Sequence, residues 1–345
     1  MKQELTDKLL NVLNEYKTLG ITEQIDYQKF YLYSIITHST AIEGSTVTEV
    51  EAQLLFDEGI TSSKRTMMEQ MMNLDLKAAY EYSMKLAGQH ADFSLEMLKN
   101  LSAAVMKNTG SQYNTAQGSF DASKGDYRLL NVSAGIGGPS YMDYHKVSAK
   151  LKEFCQQLNA DRRQLIDNND VIAKYNTSFD AHYQLVTIHP WVDGNGRMSR
   201  LVMNHLQYEF GLVPVKVVKE DKAEYIQSLI DSRYLESPEP FREFMFQEHI
   251  KNLSKELDAH KKSLAFDPIN TKFDPIKLFS DPITDRLYKE VLSNNSLNYS
   301  EYAKLLGVSE ATVKRRLGEL KNQGVIVRVG SNKTGHWEIN NNNKI

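Results

Sequence analysis

Residues 189–200 read His-Pro-Trp-Val-Asp-Gly-Asn-Gly-Arg-Met-Ser-Arg. This short run holds an imidazole, a carboxylate, a glycine-flanked asparagine and two guanidinium groups. Each has a use in moving a phosphorus group. His189 titrates near neutrality and can take a proton from a hydroxyl. Asp193 is the kind of oxygen ligand that holds Mg²⁺ against phosphates. Gly194-Asn195-Gly196 followed by Arg197 at a helix start turns backbone N–H groups toward one point, which suits phosphate oxygens. Arg197 and Arg200 add charge-assisted hydrogen bonds to the same ligand. A base, a metal ligand and an anion cradle in one loop point to nucleotidyl or phosphoryl transfer. A glycine-rich helix cap alone would need neither the His nor the Asp nor two Arg in register.

Helical segments must hold that loop. The pattern predicts helices over 170–188 and 197–210 on either side of it. Most of residues 1–264 reads the same way. Leu9, Leu10 and Leu13 form an apolar stripe that Gly20 ends. A second helix is expected from near Thr22 to about Gly44. Thr48-Glu49-Val50-Glu51 is a capping box that opens a short helix closed by Gly59. Further helices are expected over 66–87, 94–108, 145–167, 221–234 and 239–264, with Met67, Met68, Met71 and Met72 filling core. Between 110 and 144 glycines become frequent, and 129–132 with 136–139 suggest a short hairpin. Asp-Pro pairs at 267, 274 and 281 punctuate a linker, and the Asn run at 340–343 reads as a disordered tail.

Composition sets outer bounds. The chain has 345 residues, 41% hydrophobic and 25% charged, with a net charge of −3, which is ordinary for a soluble globular protein. Cys155, the one cysteine, cannot form an internal disulfide and is expected to be a small buried residue; a cytoplasmic location is the simplest reading. No stretch is apolar and long enough to span a membrane, and the amphipathic N-terminus lacks a signal-peptide core. Residues 281–345 carry 10 Lys+Arg against 7 Asp+Glu, leaving 31 against 37 for the rest. That asymmetry hints at an anionic partner for the C-terminal piece.

The run at 189–200 resembles the Fic-family signature, His-x-Phe-x-Asp/Glu-Gly-Asn-Gly-Arg-x-x-Arg, with Trp191 where Phe is usual. The resemblance covers roughly residues 30–240. It implies a mainly α fold and transfer of AMP from ATP to a Ser, Thr or Tyr hydroxyl of a protein. It further implies that His189 is the general base, that Trp191 anchors the loop in the core, and that Asp193 binds Mg²⁺. Gly194, Asn195, Gly196 and Arg197 would cradle the α- and β-phosphates, and Arg200 would pair with the far end of the triphosphate. Gly196 stands where the related death-on-curing branch has Lys and acts as a kinase, so the resemblance favours AMP transfer over phosphate transfer. Gly125-Asp126-Tyr127-Arg128, with Asn131-Val132 and Tyr141, resembles the family's flap, a β-hairpin that aligns the target segment by strand addition.

Ser39-Thr40-Ala41-Ile42-Glu43-Gly44 matches the Fic inhibitory pattern, Ser/Thr-x-x-x-Glu-Gly/Asn. The resemblance implies an N-terminal inhibitory helix, marked by Ser39 and Glu43, in which Glu43 pairs with Arg200 and denies it to the γ-phosphate. The same Glu can position a water for removing AMP, as in some members.

Residues 283–339 follow a separate logic. Helices are expected at about 283–293 and 299–306, then from the Ser309 N-cap to about Gln323, with Val313, Leu317 and Leu320 buried. Lys314, Arg315 and Arg316 lie on or beside the exposed face. Val325–Val329 and His336–Ile339 pair around 330–335. This resembles a winged helix-turn-helix, whose second helix enters the major groove of duplex DNA; such modules also dock proteins or dimerise.

The expected organisation is therefore a helical region with the inhibitory helix at 1–100, a Fic catalytic core at 101–264, a linker at 265–282 and the winged module at 283–340. The first functional expectation is a Mg²⁺-dependent, ATP-using protein adenylyltransferase that acts on a target protein or itself. The alternatives are a DNA-binding regulator whose Fic core is a ligand or partner switch, and an enzyme that removes AMP. Duplex DNA and a second copy of the chain are the other candidate partners. His38 and His182 read as packed histidines, and His205 and His249 lack partners at metal spacing.

Overall fold

The computed structural model describes residues 3–134, 138–264, 281–330 and 335–339. Most of the linker (265–280), the middle of the 129–139 hairpin, the wing tip (331–334) and the Asn tail lie outside the described residues. Two compact units emerge: Met1–Asn14 with Leu32–Leu253, and Glu15–Tyr31 with Ser254–Ile345.

Helix α1 (Gln3–Thr18) buries Leu9 completely and is followed by Gly20 in the left-handed region. The second helix begins later than the sequence predicts. A 3₁₀ turn takes Ile21–Glu23, Asp26 sits at φ 59°, and α2 runs only from Tyr27 to Ile42. A left-handed residue ends helical propagation, so the segment from Thr22 cannot continue into α2. The Thr48 capping box is present at the head of α3 (Glu49–Glu58), which Gly59 closes at φ 67°. A second box, Thr66 with Glu69, opens α4 (Met67–Gly88).

The methionine expectation needs correction. Met67 and Met68 are 61% and 54% exposed, because they occupy the solvent-facing first turn of α4; Met71 and Met72 are half-buried. Next come α5 (Leu95–Val105) and a hairpin of β1 (Gln112–Thr115) and β2 (Gly118–Asp121), which pattern reading missed. The hairpin expected at 129–139 is present as an antiparallel bridge, Ser133 to Ser140, rather than as full strands.

Helices α6 (Tyr144–Leu165), α7 (Val171–Ile188) and α8 (Asn195–Glu209) carry the centre of this unit. Every residue of α8 from Arg197 to Gln207 is buried. It packs on α7 and on α4; its Leu201, Val202 and Leu206 are buried, as are Leu76 and Ala79 of α4 and Phe179 and Leu185 of α7. Two buried polar pairs tie α8 to its neighbours: Tyr80 donates to Asn204 at 2.7 Å, and Gln207 donates to Ser178 at 2.9 Å. Helices α9 (Lys222–Tyr234) and α10 (Glu239–Leu264) follow. Cys155 is buried and its thiol is pushed up to about 11 by burial.

In the second unit, α11 (Pro282–Ser293), α12 (Tyr299–Leu306) and α13 (Glu310–Asn322) surround Leu287, Val291, Tyr302, Val313, Leu317 and Leu320. Asp281, Asn298 and Ser309 cap their N-termini. Strands β3 (Ile326–Val329) and β4 (His336–Ile339) pair antiparallel and lay Trp337 on that core.

Candidate functional site

The loop between α7 and α8 is built by its own side chains. Asn195 is 4% exposed, and its amide bridges the turn: Oδ1 accepts from Trp191 N at 3.1 Å, and Nδ2 donates to Trp191 O at 2.9 Å. Asn195 is thus a brace for the loop, with its side chain turned inward. Trp191 is 1% exposed and donates from Nε1 to Gly125 O at 3.1 Å, which ties the loop to the start of the flap segment. The larger ring in place of Phe is therefore accommodated, with its polar edge satisfied.

Two glycines lie where a side chain would press on a neighbour. Gly194 caps α8 at φ 80°, and a Cβ there would meet Met106 Sδ at 2.8 Å. A Cβ at Gly196 would meet Glu43 Oε1 at 2.5 Å. No side chain caps α8, so its first N–H groups are left for another acceptor.

Arg197 is 2% exposed, and its Nε and Nη1 have no hydrogen-bond partner; Nη2 lies 3.5 Å from Asp193 Oδ2. A buried guanidinium with two unanswered donors is costly unless an anion completes it. Asp193 itself is 64% exposed in its side chain, with Oδ1 accepting from Gly194 N at 2.6 Å. Among the described residues no group of three or more His, Cys, Asp or Glu side chains is placed to hold a metal ion. A single exposed carboxylate beside a phosphate cradle suits Mg²⁺, which takes one or two carboxylates and fills the rest of its shell with water and phosphate oxygens.

Arg200 is engaged on every nitrogen. Nε donates to Ser39 Oγ at 2.8 Å, Nη2 to Ser39 O at 3.0 Å and to Glu43 Oε1 at 2.5 Å, and Nη1 to Tyr225 OH at 3.3 Å. Burial pushes the Glu43 carboxyl up, but Arg200, by charge and hydrogen bond, and then Arg197 outweigh it and hold it below the usual carboxylate range. Residues 39 and 43, separated from residue 200 by most of the unit's length, therefore meet it directly.

His189 closes α7 in the left-handed conformation, φ 51° and ψ 60°, rare for a residue with a Cβ. Its backbone O accepts from Arg128 Nε at 2.8 Å, and its Nδ1 lies 3.3 Å from Val186 O. With Nδ1–H donated to that carbonyl, Nε2 keeps its lone pair. Burial, assisted by Arg128 and Arg233, lowers the imidazole pKa to about 4. It is neutral at physiological pH and free to accept a proton.

The flap residues hold rather than display. Arg128 is 1% exposed and donates to Leu130 O at 2.7 Å and to Met142 O, so it clamps both ends of the flap segment to His189. Tyr127 donates to Leu95 O at 2.8 Å and packs near Trp191.

Sequence reasoning missed Tyr225 and did not promote His182, which behaves as the packed histidine expected. Tyr225 OH sits 2.8 Å from His182 Nε2, and both are fully or nearly fully buried. Nothing in local spacing announces a tyrosine that backs Arg200 from another helix. His38, His205 and His249 are likewise hydrogen-bonded, to Lys219 N, Ser83 and Tyr175. A cleft of about 660 Å³ along α6 and α7 is lined by Lys150, Glu153, Tyr183, Gln184 and Thr187. None of the loop's arginines lines it, so it is not the seat of the anion chemistry.

In the winged module Lys314 and Arg315 are exposed, as expected, but Arg316 is not. Arg316 is 4% exposed and pairs with Asp281 at 3.2 Å and Glu319 at 3.0 Å. It belongs to the buried stripe with Val313, Leu317 and Leu320, so it is removed from the candidate DNA contacts. Arg315 also reaches Glu319, at 3.1 Å, across the surface.

Comparison with known proteins agrees with this geometry. The Fic/DOC family model matches residues 92–207, and a model described as winged helix-turn-helix DNA-binding matches residues 281–327. Protein adenylyltransferase fic-1 of Caenorhabditis elegans is 26% identical over 204 residues, 59% of this chain and 36% of that protein. Protein adenylyltransferase Fic of Drosophila melanogaster is 27% identical over 195 residues, 56% of this chain and 36% of that protein. The match thus spans about a third of the length of these relatives. Among solved structures, a Fic domain containing signaling protein from Bacteroides thetaiotaomicron superposes with a TM-score of 0.61 at 19% identity, covering 74% of this chain and 97% of that one. A Fic family protein from Desulfovibrio desulfuricans gives 0.60 at 17% identity, covering 98% of this chain and 95% of that one. The chain is mainly helical and carries a Fic domain followed by a C-terminal winged helix-turn-helix domain.

Proposed function

We propose that the chain is a protein adenylyltransferase that moves AMP from ATP to a Ser, Thr or Tyr hydroxyl of a target protein or of itself, and that Glu43 holds it off. The observation that carries this reading is the pair of arginines at the start of α8: Arg197 buried with two free donors, Arg200 already taken by Glu43. The names of the relatives in C. elegans and Drosophila point the same way.

In this reading the hydroxyl oxygen attacks the α-phosphorus, the new P–O bond forms, and pyrophosphate departs with the electron pair of the broken bond. His189 Nε2 takes the hydroxyl proton. The α8 N-terminus and Arg197 hold the α- and β-phosphates, and positioning with charge neutralisation supplies most of the rate. Asp193 would hold Mg²⁺, which neutralises phosphate charge. Arg200 meets the γ-phosphate only when Glu43 lets go. Labelled-ATP incorporation tests it: Glu43→Gly labels more strongly than wild type, and adding His189→Ala removes that labelling by roughly 10²- to 10⁴-fold, the worth of a general base. Equal labelling of all three overturns it. Glu43 can also direct a water at an AMP–protein bond; release of AMP from modified protein, lost in Glu43→Gly, would favour that direction.

A second reading concerns the winged module. Lys314 and Arg315 are exposed on α13, and Gly318 on the same helix has open space where a Cβ would stand. These features suit close approach of α13 to a duplex, with the cations on phosphates. Binding of the full chain to duplex DNA with a steep salt dependence supports this, and no binding at low salt removes it.

A further inference from the structure

His189 is stacked on a tyrosine from outside the 189–200 run, and that tyrosine is in turn met by an arginine from another helix. Tyr141 ends the flap segment; its N–H donates to Val132 O at 2.9 Å, one step from the Ser133–Ser140 bridge, so the hairpin fixes its backbone. Its ring lies face to face with the imidazole, centroids 3.7 Å apart and planes 16° from parallel. Arg233 of α9 lies over the same tyrosine ring, with Cζ 4.9 Å from the centroid. That is within the range of a cation–π attraction.

The contact at Nδ1 fixes one edge of the imidazole but leaves its plane free to tilt about the side-chain torsions, and at 3.3 Å it is a loose restraint. The stack removes that freedom, because tilting the ring would drive it into Tyr141. A lone pair in the ring plane is useful only when the plane contains the proton to be taken. We propose that Tyr141 and Arg233 are positioning residues for the base: the flap tyrosine sets the plane of the His189 ring so that Nε2 faces the acceptor hydroxyl, and Arg233 holds the tyrosine in place. This rests on His189 being the general base. Alignment of the base thereby depends on the flap, the segment that a target strand would engage.

The charged groups facing His189 are Arg128 from the entry to the flap, Arg233 from α9 and Asp193 from the loop. The two arginines disfavour a protonated ring, and stacking on a tyrosine tolerates a neutral one.

The test uses the full chain with Glu43→Gly. Tyr141→Ala and Arg233→Ala lower kcat for label transfer at least about tenfold while the KM for ATP stays within about twofold, since misplacing a reacting group costs rate. Tyr141→Phe, which keeps the stack without the hydroxyl, recovers most of the rate lost in Tyr141→Ala. Independently of activity, the His189 ring protons, assigned by their absence in His189→Gln, resonate upfield through the ring current of Tyr141. They move back in Tyr141→Ala and stay in Tyr141→Phe. Unchanged His189 shifts or unchanged kcat in Tyr141→Ala overturn the proposal, as does an equal loss in the Phe and Ala variants. Absence of labelling by every variant would instead fail the adenylyl-transfer reading, and the ring-proton shifts would still decide the stacking role.

Discussion

Arg197 at the head of α8 and Arg316 in α13 are 2% and 4% exposed. The two are buried in different company. Arg316 is met by Asp281 and Glu319, and it sits on the stripe that packs the winged module. Arg197 keeps Nε and Nη1 without an acceptor and meets one carboxylate, Asp193, at 3.5 Å. A buried guanidinium closely met by two carboxylates is architecture, and one whose donors are left over beside a single distant carboxylate has room for an anion. The difference separates a residue that builds a domain from one that the proposed function gives to a ligand.

The contrast can be broken at several points. The largest effect is expected at Arg316→Ala, which leaves Asp281 buried beside α11 without its cation. That should destabilise the winged module by about 3–5 kcal/mol, seen by calorimetry of the full chain as a transition moving to lower temperature. Arg197→Ala should do the reverse in kind. The fold holds or gains slightly, while affinity for ATP in a Glu43→Gly background falls by roughly 10- to 100-fold, the worth of charge-assisted hydrogen bonds. If Arg197→Ala unfolds the chain and Arg316→Ala does not, the assignment of the two arginines is inverted.

The buried histidines give a pH-dependent effect that is small near neutrality and grows on acidification. Burial lowers His205 and His249 to about 3 from the ordinary 6.5. Between those values the unfolded chain binds protons that the fold refuses. Stability is therefore full above pH 6.5 and is lost as pH falls toward 3, by about 1.4 kcal/mol per histidine for each pH unit. A melting temperature that is flat from pH 7 to 5 contradicts this. The smallest effect belongs to the exposed cations. Lys314→Ala should weaken duplex binding evenly across sequences and reduce the salt slope by about one.

Much of this was legible in the residues. Thr48 with Glu51 and Ser309 opened the helices expected of them, because a capping side chain and its N–H lie within one turn. The residues proposed to hold an anion were legible for the same reason: all of them lie within residues 189–200. The capping box at Thr66 and Glu69 was equally readable and would have placed Met67 and Met68 on the exposed first turn. Arg316 also carried a signal, since it falls three residues after Val313 and four before Leu320 on the buried stripe. What spacing could not supply was partnership across the chain. The meeting of Glu43 with Arg200 was reached by resemblance, because nothing local joins residues 157 apart. Tyr225 behind Arg200, and Tyr141 over His189, come from other elements and needed the fold to bring them in. The break before α2 turns on one left-handed residue, Asp26, a conformation that Asp tolerates but does not announce.

The central claim is that the loop at 189–200 is a transferase site held off by Glu43. Its most direct test is incorporation of labelled ATP by the purified full chain, compared among wild type, Glu43→Gly, and Glu43→Gly with His189→Ala. The account predicts weak labelling in the first, strong labelling in the second and none in the third. Strong labelling of wild type equal to that of Glu43→Gly, or labelling that survives loss of His189, would contradict it.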